Sequence, residues 1–308
     1  MRILITPRSM TAGGLDAVPE LEPLRAHGVE LVAGPPGRLP SETELLELVP
    51  GIDGWLAGIE AISAEVLAAA TQLKVISRNG VGADGVDVDA ARRRGIQVVL
   101  ARGANSRGVA ELTVLLTLAS LRDLPRANGA MKEGRWQRTL GREMPDITLG
   151  LIGFGAIGRI VAQLAGAMGA ELLAHDAYAE VDASSGAQSA TFAEVFKRSD
   201  VVSLHSPPPA DGSALVTADV LATMRGQAVL INTARSALVD DDAVLVALNS
   251  GRLSAYAVDA FDTEPPKLTP LLLHERTILT PHLGGYTRAS TRRATEQSVA
   301  NLITTLEL

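Results

Sequence analysis

The chain has 308 residues, a formal net charge of −7 and no cysteine. Its length allows two domains of ordinary size, and its 46% hydrophobic and 20% charged residues fit a globular protein. The acidic balance argues against a general nucleic-acid binder, and the lack of cysteine excludes disulfides, Cys-based zinc sites and thiol catalysis.

No apolar run is long enough to span a bilayer. Residues 1–6 read as a strand that starts at once, without the long apolar region of a signal peptide. The expected location is therefore the cytoplasm, with no membrane and no nucleic-acid partner.

Short apolar runs at 2–6, 29–33, 54–57, 74–77 and 97–100 predict strands. Amphipathic segments near 21–26, 42–48, 64–70 and 88–94 predict helices between them, and Pro35-Pro36-Gly37 marks a turn. This alternation implies an open parallel sheet covered by helices. Arg78 and the glycines of Gly80-Val81-Gly82 follow the fourth of these strands. Backbone N–H groups there face the crevice where α/β sheets bind ligands, although a plain turn into the next helix fits equally well.

A long helical segment is predicted over 106–132, just past Asn105. It is too apolar on several sides for a surface helix, so burial against the next domain, a partner subunit or both is expected. Trp136 follows it, and core packing or a subunit contact is expected there rather than substrate binding.

The central stretch reads as strand 147–152, the turn Gly153-Phe154-Gly155-Ala156-Ile157-Gly158, an apolar-periodic helix 160–168, a second strand 171–174 and then Asp176. Gly-x-Gly-x-x-Gly in this setting is a dinucleotide fingerprint. Gly153 permits the turn, Gly155 lets backbone approach a pyrophosphate, and Gly158 lets helix and strand pack closely. Free N–H groups at the helix start would face phosphates. The acid stands eighteen residues beyond Gly158, near the expected distance.

Further strands are predicted at 201–205, 228–231, 254–258 and about 278–280, with a terminal helix at 290–306. The first ends in His205-Ser206-Pro207-Pro208-Pro209, the second in Asn232-Thr233-Ala234-Arg235. Asp259 and Glu264 follow the third, and His282 with Gly284 follows the fourth. Arg235, Glu264 and His282 thus lie just past strand ends, which line one edge of a parallel sheet.

A nicotinamide cofactor carries hydride chemistry but needs a proton donor and a clamp for the substrate. Histidine is the usual donor near neutral pH. A carboxylate on its far nitrogen fixes its tautomer, and an arginine binds a carboxylate bidentately. Arg235, Glu264 and His282 supply that set. Each also has a plainer reading, as a surface ion pair, a loop acid and a capped loop residue. Of the other histidines, His27 and His274 sit in polar contexts, while His175 and His205 flank the expected cofactor crevice.

Taken in order, these motifs resemble the D-isomer-specific 2-hydroxyacid dehydrogenase family, in its phosphoglycerate-dehydrogenase-like branch. The residues that carry the likeness are Gly80 to Asp84, Asn105 to Glu111, Gly153 to Gly158, Ile231 to Arg235, Val258 to Phe261 with Glu264-Pro265, and Thr280-Pro281-His282. The resemblance implies an α/β fold of two Rossmann-like domains, one flavodoxin-like and substrate-binding, the other an NAD-binding Rossmann domain, with a hinged cleft. The first would comprise 1–101 and 284–308, the second 102–283.

It also implies His282 as acid/base, Glu264 as its carboxylate partner and Arg235 on the substrate's carboxylate and carbonyl. Arg78, Val81, Gly82 and Asn105 would complete the substrate site with Arg235 and His282. The cofactor would be NAD, held by Gly153, Gly155, Ala156, Ile157, Gly158, Arg159, Asp176, His205, Ser206, Pro207, Thr233, Ala234, Asp259, His282 and Gly284. Asp176 would take the ribose hydroxyls, and Ala177-Tyr178-Ala179 after it offers no arginine, which favours NAD over NADP. No metal is expected.

The implied partners are a small anionic 2-hydroxy or 2-oxo acid and a second copy of the chain, joined through the helix after Asn105. The regulatory domain of longer phosphoglycerate dehydrogenases is expected to be absent. Glyoxylate, hydroxypyruvate or a phosphonate analogue are alternative substrates. An NAD(H)-sensing binding protein, like co-repressors that resemble this family, is the non-enzyme alternative.

Three departures stand out: Ser236 where a glycine usually follows the arginine, Ser206-Pro207-Pro208-Pro209 after the 201–205 strand, and Ile59 where some relatives carry a phosphate-binding arginine.

Overall fold

The apolar runs of the first hundred residues become neighbouring strands of one parallel sheet. A computed structural model describes residues 1–308, apart from the side chain of Ala183. In chain order the first elements are β1 (Arg2–Ile5), α1 (Arg8–Thr11), α2 (Glu22–Ala26), β2 (Glu30–Ala33), α3 (Glu42–Leu48) and β3 (Gly54–Ala57). Next come α4 (Ala64–Ala69), β4 (Val75–Arg78), α5 (Val88–Arg93), β5 (Gln97–Leu100), α6 (Ser106–Leu121) and α7 (Leu124–Lys132). The fingerprint region supplies β6 (Thr148–Ile152), α8 (Ala156–Ala167), β7 (Glu171–His175), β8 (Gln188–Ser189), α9 (Phe192–Arg198) and β9 (Val201–Leu204). The remainder is α10 (Ala218–Thr223), β10 (Ala228–Asn232), α11 (Asp241–Asn249), β11 (Leu253–Val258), β12 (Thr277–Leu279) and α12 (Arg288–Leu306).

The chain divides into two compact units. One holds Met1–Asn105 with Arg288–Leu308, the other Ser106–Thr287. These divisions lie slightly further along the chain than the expected 101/102 and 283/284.

In the first unit the strand order is β2-β1-β3-β4-β5, all parallel. One face buries Leu4, Trp55 and Ile76 under α3, α4 and α5, and the other buries Ile3, Ile5 and Leu302. Short polar caps start the covering helices: Ser41 forms a capping box with Glu44, and Ser63 and Asp87 cap α4 and α5. The terminal helix returns to this unit. Ser298 Oγ donates to the Arg78 carbonyl and Ser77 Oγ donates to the Ser298 carbonyl, both at 2.9 Å, which stitches α12 to β4.

The second unit has the order β12-β11-β10-β9-β6-β7-β8, again parallel. Apolar faces of β6, β9 and β10 are covered on one side by α6 and α8 and on the other by α9, α10 and α11. The doubly wound parallel arrangement is the expected fold class in both units.

Three readings of the sequence need correction. The helix expected over 106–132 is broken into α6 and α7, with Asp123 at φ +50° between them. Pro125 has no N–H to continue the helix, and its ring excludes the carbonyl four residues earlier. Leu115 of α6 is 56% exposed in the single chain. Trp136 is 79% exposed, which removes core packing from its two expected roles and leaves the subunit contact. The fingerprint helix also begins earlier than its apolar periodicity suggests, at Ala156 rather than Ile160.

Candidate active and cofactor sites

The second unit's order brings β10, β11 and β12 side by side, so their carboxyl ends form one edge. Arg235 lies just past β10, Glu264 past β11 and His282 past β12. Asn232, wholly buried at the end of β10, shapes the first of these loops. Its Nδ2 donates to the Arg235 carbonyl at 2.8 Å and its Oδ1 accepts from Ala234 N at 3.1 Å. Arg235 Nη1 donates to the Ala234 carbonyl at 2.7 Å. Ser236 is not among the residues with positive φ, so serine is accommodated where a glycine is usual, and its Oγ meets Asp262 Oδ1 at 2.5 Å.

His282 Nδ1 and Glu264 Oε1 are 2.7 Å apart. The histidine has φ +51°, a region that non-glycine residues seldom occupy. What holds it there is Asp259, which is 1% exposed. Its carbonyl accepts from His282 N at 2.9 Å. Its carboxylate accepts from Thr280 Oγ1 at 2.6 Å, Leu283 N at 2.7 Å and Gly284 N at 2.9 Å. A residue in an unfavourable backbone region persists when its surroundings over-determine it. Asp259, expected among the residues that hold NAD, is bonded in this structure to the histidine's loop.

The fingerprint turn can be tested residue by residue. Gly153 has φ +97°, and a Cβ there would stand 2.6 Å from the His205 carbonyl carbon. A Cβ on Gly158 would stand 2.3 Å from the Gly153 oxygen. Both glycines are therefore required by the fold itself. Gly155 differs, because nothing lies within 4 Å of where its Cβ would be. Its open side faces whatever approaches the start of α8, which no side chain caps. The first N–H groups of that helix, on Ala156, Ile157 and Gly158, have no intrahelical acceptor and suit a pyrophosphate. Arg159 lies with its guanidinium 5.0 Å above the Phe154 ring.

Asp176 closes the turn from the end of β7. Its Oδ2 accepts from Phe154 N at 2.6 Å, and its Oδ1 accepts from Tyr178 N at 2.8 Å and Ala179 N at 2.9 Å. Burial pushes the carboxyl up, but the three N–H bonds, aided by His175, outweigh it and hold the group below its ordinary value. Three bonds leave an ionised carboxylate with acceptor capacity for a ribose hydroxyl. The adjoining cavity, about 410 Å³, is lined by Asp176, Glu180, His175 and Val181 among others. Two acids on its wall oppose a phosphorylated ribose and suit NAD.

On the neighbouring strand end, His205 N donates to the Ile152 carbonyl at 2.7 Å. Its ring Nε2 lies 3.0 Å from Ser203 Oγ, while its Nδ1 and the Ser206 hydroxyl are buried without partners. Burial pushes the imidazole down to about 4, so the ring is neutral. Pro207 beyond it is exposed. Thr233 Oγ1 meets Thr113 Oγ1 at 2.9 Å, tying the β10 loop to α6.

In the first unit, Arg78 ends β4 and is 6% exposed. Its Nε donates to the Gly82 carbonyl at 3.1 Å and its Nη1 to the Ala57 carbonyl at 3.3 Å. Val81 and Gly82 are half-buried in the loop it braces, and Asn105 is the last residue of this unit's first segment. Sequence reasoning assigned no role to Glu60, which is 3% exposed and stands at the end of β3. A carboxylate so close to a strand's carboxyl end was the available signal.

Among the described residues no group of three or more His, Asp or Glu side chains could hold a metal ion. No helix among them is long and apolar enough to cross a membrane.

Residues 114–284 match the family model for the D-isomer specific 2-hydroxyacid dehydrogenase NAD binding domain. The chain belongs to this family. It is 37% identical over 260 residues to D-3-phosphoglycerate dehydrogenase of Mycobacterium tuberculosis, covering 83% of this chain and 49% of that one. It is 34% identical over 256 residues to hydroxypyruvate reductase of Thermotoga maritima, covering 81% and 83%. Among solved structures, a glyoxylate reductase from Paecilomyes thermophila superposes with a TM-score of 0.87 at 28% identity, covering 100% of this chain and 95% of that one. The chain spans about half the length of the phosphoglycerate dehydrogenases it matches. The second unit, which contains all of the matched residues and the fingerprint turn, is the family's NAD-binding domain.

Proposed function

We propose that this protein is an NAD-dependent oxidoreductase that interconverts a D-2-hydroxy acid and its 2-oxo acid. The observation that carries the reading is the 2.7 Å contact of His282 Nδ1 with Glu264 Oε1 at one sheet edge of the NAD-binding unit. When bound, NAD supplies or accepts the hydride.

The chain's own residues manage the rest. With Nδ1 turned to Glu264, the His282 Nε2 is the nitrogen left for the substrate oxygen. In reduction it gives a proton to the carbonyl oxygen as the carbonyl carbon receives hydride, and in oxidation it takes the hydroxyl proton. Glu264 fixes the tautomer and favours the imidazolium formed in oxidation. Arg235, on the loop shaped by Asn232, binds the substrate carboxylate and polarises its carbonyl.

The same proposal includes a cytoplasmic location and a homodimer. Exposed apolar side chains from α6 through the segment after α7 support the dimer: Leu115, Leu124, Met131, Trp136 and Leu140 are all exposed, Leu140 completely. Such side chains fit the core of an interface with a second copy.

A substrate panel tests the activity. NADH absorbance is followed with pyruvate, glyoxylate, hydroxypyruvate and phosphohydroxypyruvate. Steady oxidation of NADH with at least one of them is expected; none with any of them overturns the reading.

A further inference from the structure

The loop after β11 has a neighbour on each side, because β11 pairs with β12 along one edge and with β10 along the other. Towards β12 it holds the His282 loop through Asp259, and Glu264 Oε1 meets His282 Nδ1. The same Glu264 oxygen accepts from Phe261 N at 3.2 Å, so the carboxylate is itself held by its own loop.

Towards β10 the loop takes hold of the chain beside Arg235. Ser236 Oγ donates to Asp262 Oδ1 at 2.5 Å, and a carboxylate accepts such a bond more strongly than a neutral oxygen does. Ser236 directly follows Arg235, and a glycine at that position could not form the bond. The Arg235 backbone is fixed on its own side by Asn232 Nδ2 and Leu238 N, which donate to its carbonyl at 2.8 Å and 3.2 Å. Those bonds tie the Arg235 loop to its own strand and turn, whereas Ser236 ties it to the neighbouring loop. A connected path then runs from Arg235 through Ser236, Asp262, Phe261 and Glu264 to His282.

We propose that Ser236 is a positioning residue: its bond to Asp262 fastens the Arg235 loop to the Glu264 loop and keeps the substrate clamp in register with the acid/base pair. The proposal rests on the dehydrogenase reading above. A misplacement of about 1 Å can cost about a hundredfold in rate, so one tether of this kind matters. Asp262 is exposed and Ser236 only partly buried, so the bond adds little to stability and can be removed without unfolding the unit.

The test compares Ser236→Ala, Asp262→Ala, their double variant and Ser236→Thr with the unaltered full chain. Each is assayed with the fastest of pyruvate, glyoxylate, hydroxypyruvate and phosphohydroxypyruvate, alongside a thermal melt and an NADH titration. Either single alanine variant is expected to lower kcat/KM about tenfold, mainly by raising KM for the acid, with melting temperature and NADH affinity unchanged. The double variant is expected to lose no more than a single one, because the same contact is removed each time. Ser236→Thr keeps the hydroxyl and is expected to stay within about threefold of the unaltered protein. A kcat/KM within about twofold of the unaltered value in both alanine variants overturns the proposal. So do additive losses in the double variant, an equal loss in Ser236→Thr, or a loss that follows a lower melting temperature at unchanged KM. Failure of every acid to oxidise NADH with the unaltered protein overturns the dehydrogenase reading instead, and this proposal with it.

Discussion

His282 Nδ1 and Glu264 Oε1 meet at 2.7 Å although they follow different strands. The contact leaves Nε2 as the nitrogen for the reacting oxygen. Glu264→Gln keeps an acceptor in place and removes the charge, whereas Glu264→Ala removes both. The expected loss in kcat is about tenfold for the first and about a hundredfold for the second, with NADH affinity unchanged. Steady-state kinetics with fluorescence titration of NADH check this, and an unchanged kcat in Glu264→Ala would remove the pair from the reaction.

The three fingerprint glycines should separate. Gly158→Ala sets a Cβ 2.3 Å from a backbone oxygen and should cost about 1–3 kcal/mol of stability or more. Gly155→Ala meets no protein atom, so its melting temperature should match the unaltered protein while NADH binds at least about tenfold more weakly. Equal NADH affinity in Gly155→Ala would show that the cofactor does not approach there.

Burial of His205 should make stability depend on pH. Its folded-state value of about 4 lies below the ordinary value of about 6.5. Between these the unfolded chain binds the extra proton, so the contribution of the neutral ring is complete above about pH 6.5 and is lost as pH falls towards 4. Thermal melts across that window should fall more steeply for the unaltered protein than for His205→Asn. Parallel curves would contradict the assignment.

Asp176 behaves differently because its carboxyl is held below the usual range. Its contribution is present above the ordinary value of about 3.9 and is lost only as pH drops through the lower folded-state value. Asp176→Asn should therefore be less stable than the unaltered protein at neutral pH, and this difference should vanish in strong acid. The variant should also bind NADH more weakly at neutral pH.

The exposed apolar side chains after Asn105 make a separate prediction. Trp136→Glu with Leu140→Glu should convert a dimer to a monomer in sedimentation equilibrium, with little effect on the fold of either unit, because both side chains are exposed. A monomeric unaltered protein would dismiss the dimer.

Local patterns made much of the fold legible. Alternating apolar runs and capped amphipathic segments marked both sheets, and the Gly153–Gly158 turn marked the place in the second one where the cofactor is proposed to bind. The break at Asp123 was hidden because the apolar pattern runs on across it, and only Pro125 signalled it. At the site, Arg235, Glu264 and His282 were visible as polar residues past strand ends, but nothing local says that β10, β11 and β12 are neighbours. Asp259 and Glu60 were harder still. Their work is done through contacts with Gly284, Thr280, Thr6 and Gly58, which depend on how the chain folds.

The most direct test of the account is to measure 2-oxo acid reduction and NADH affinity together in His282→Ala. Turnover should fall by about 10²–10⁴-fold while the NADH dissociation constant stays as in the unaltered protein. Full turnover in that variant would contradict the assignment of His282 as the proton donor.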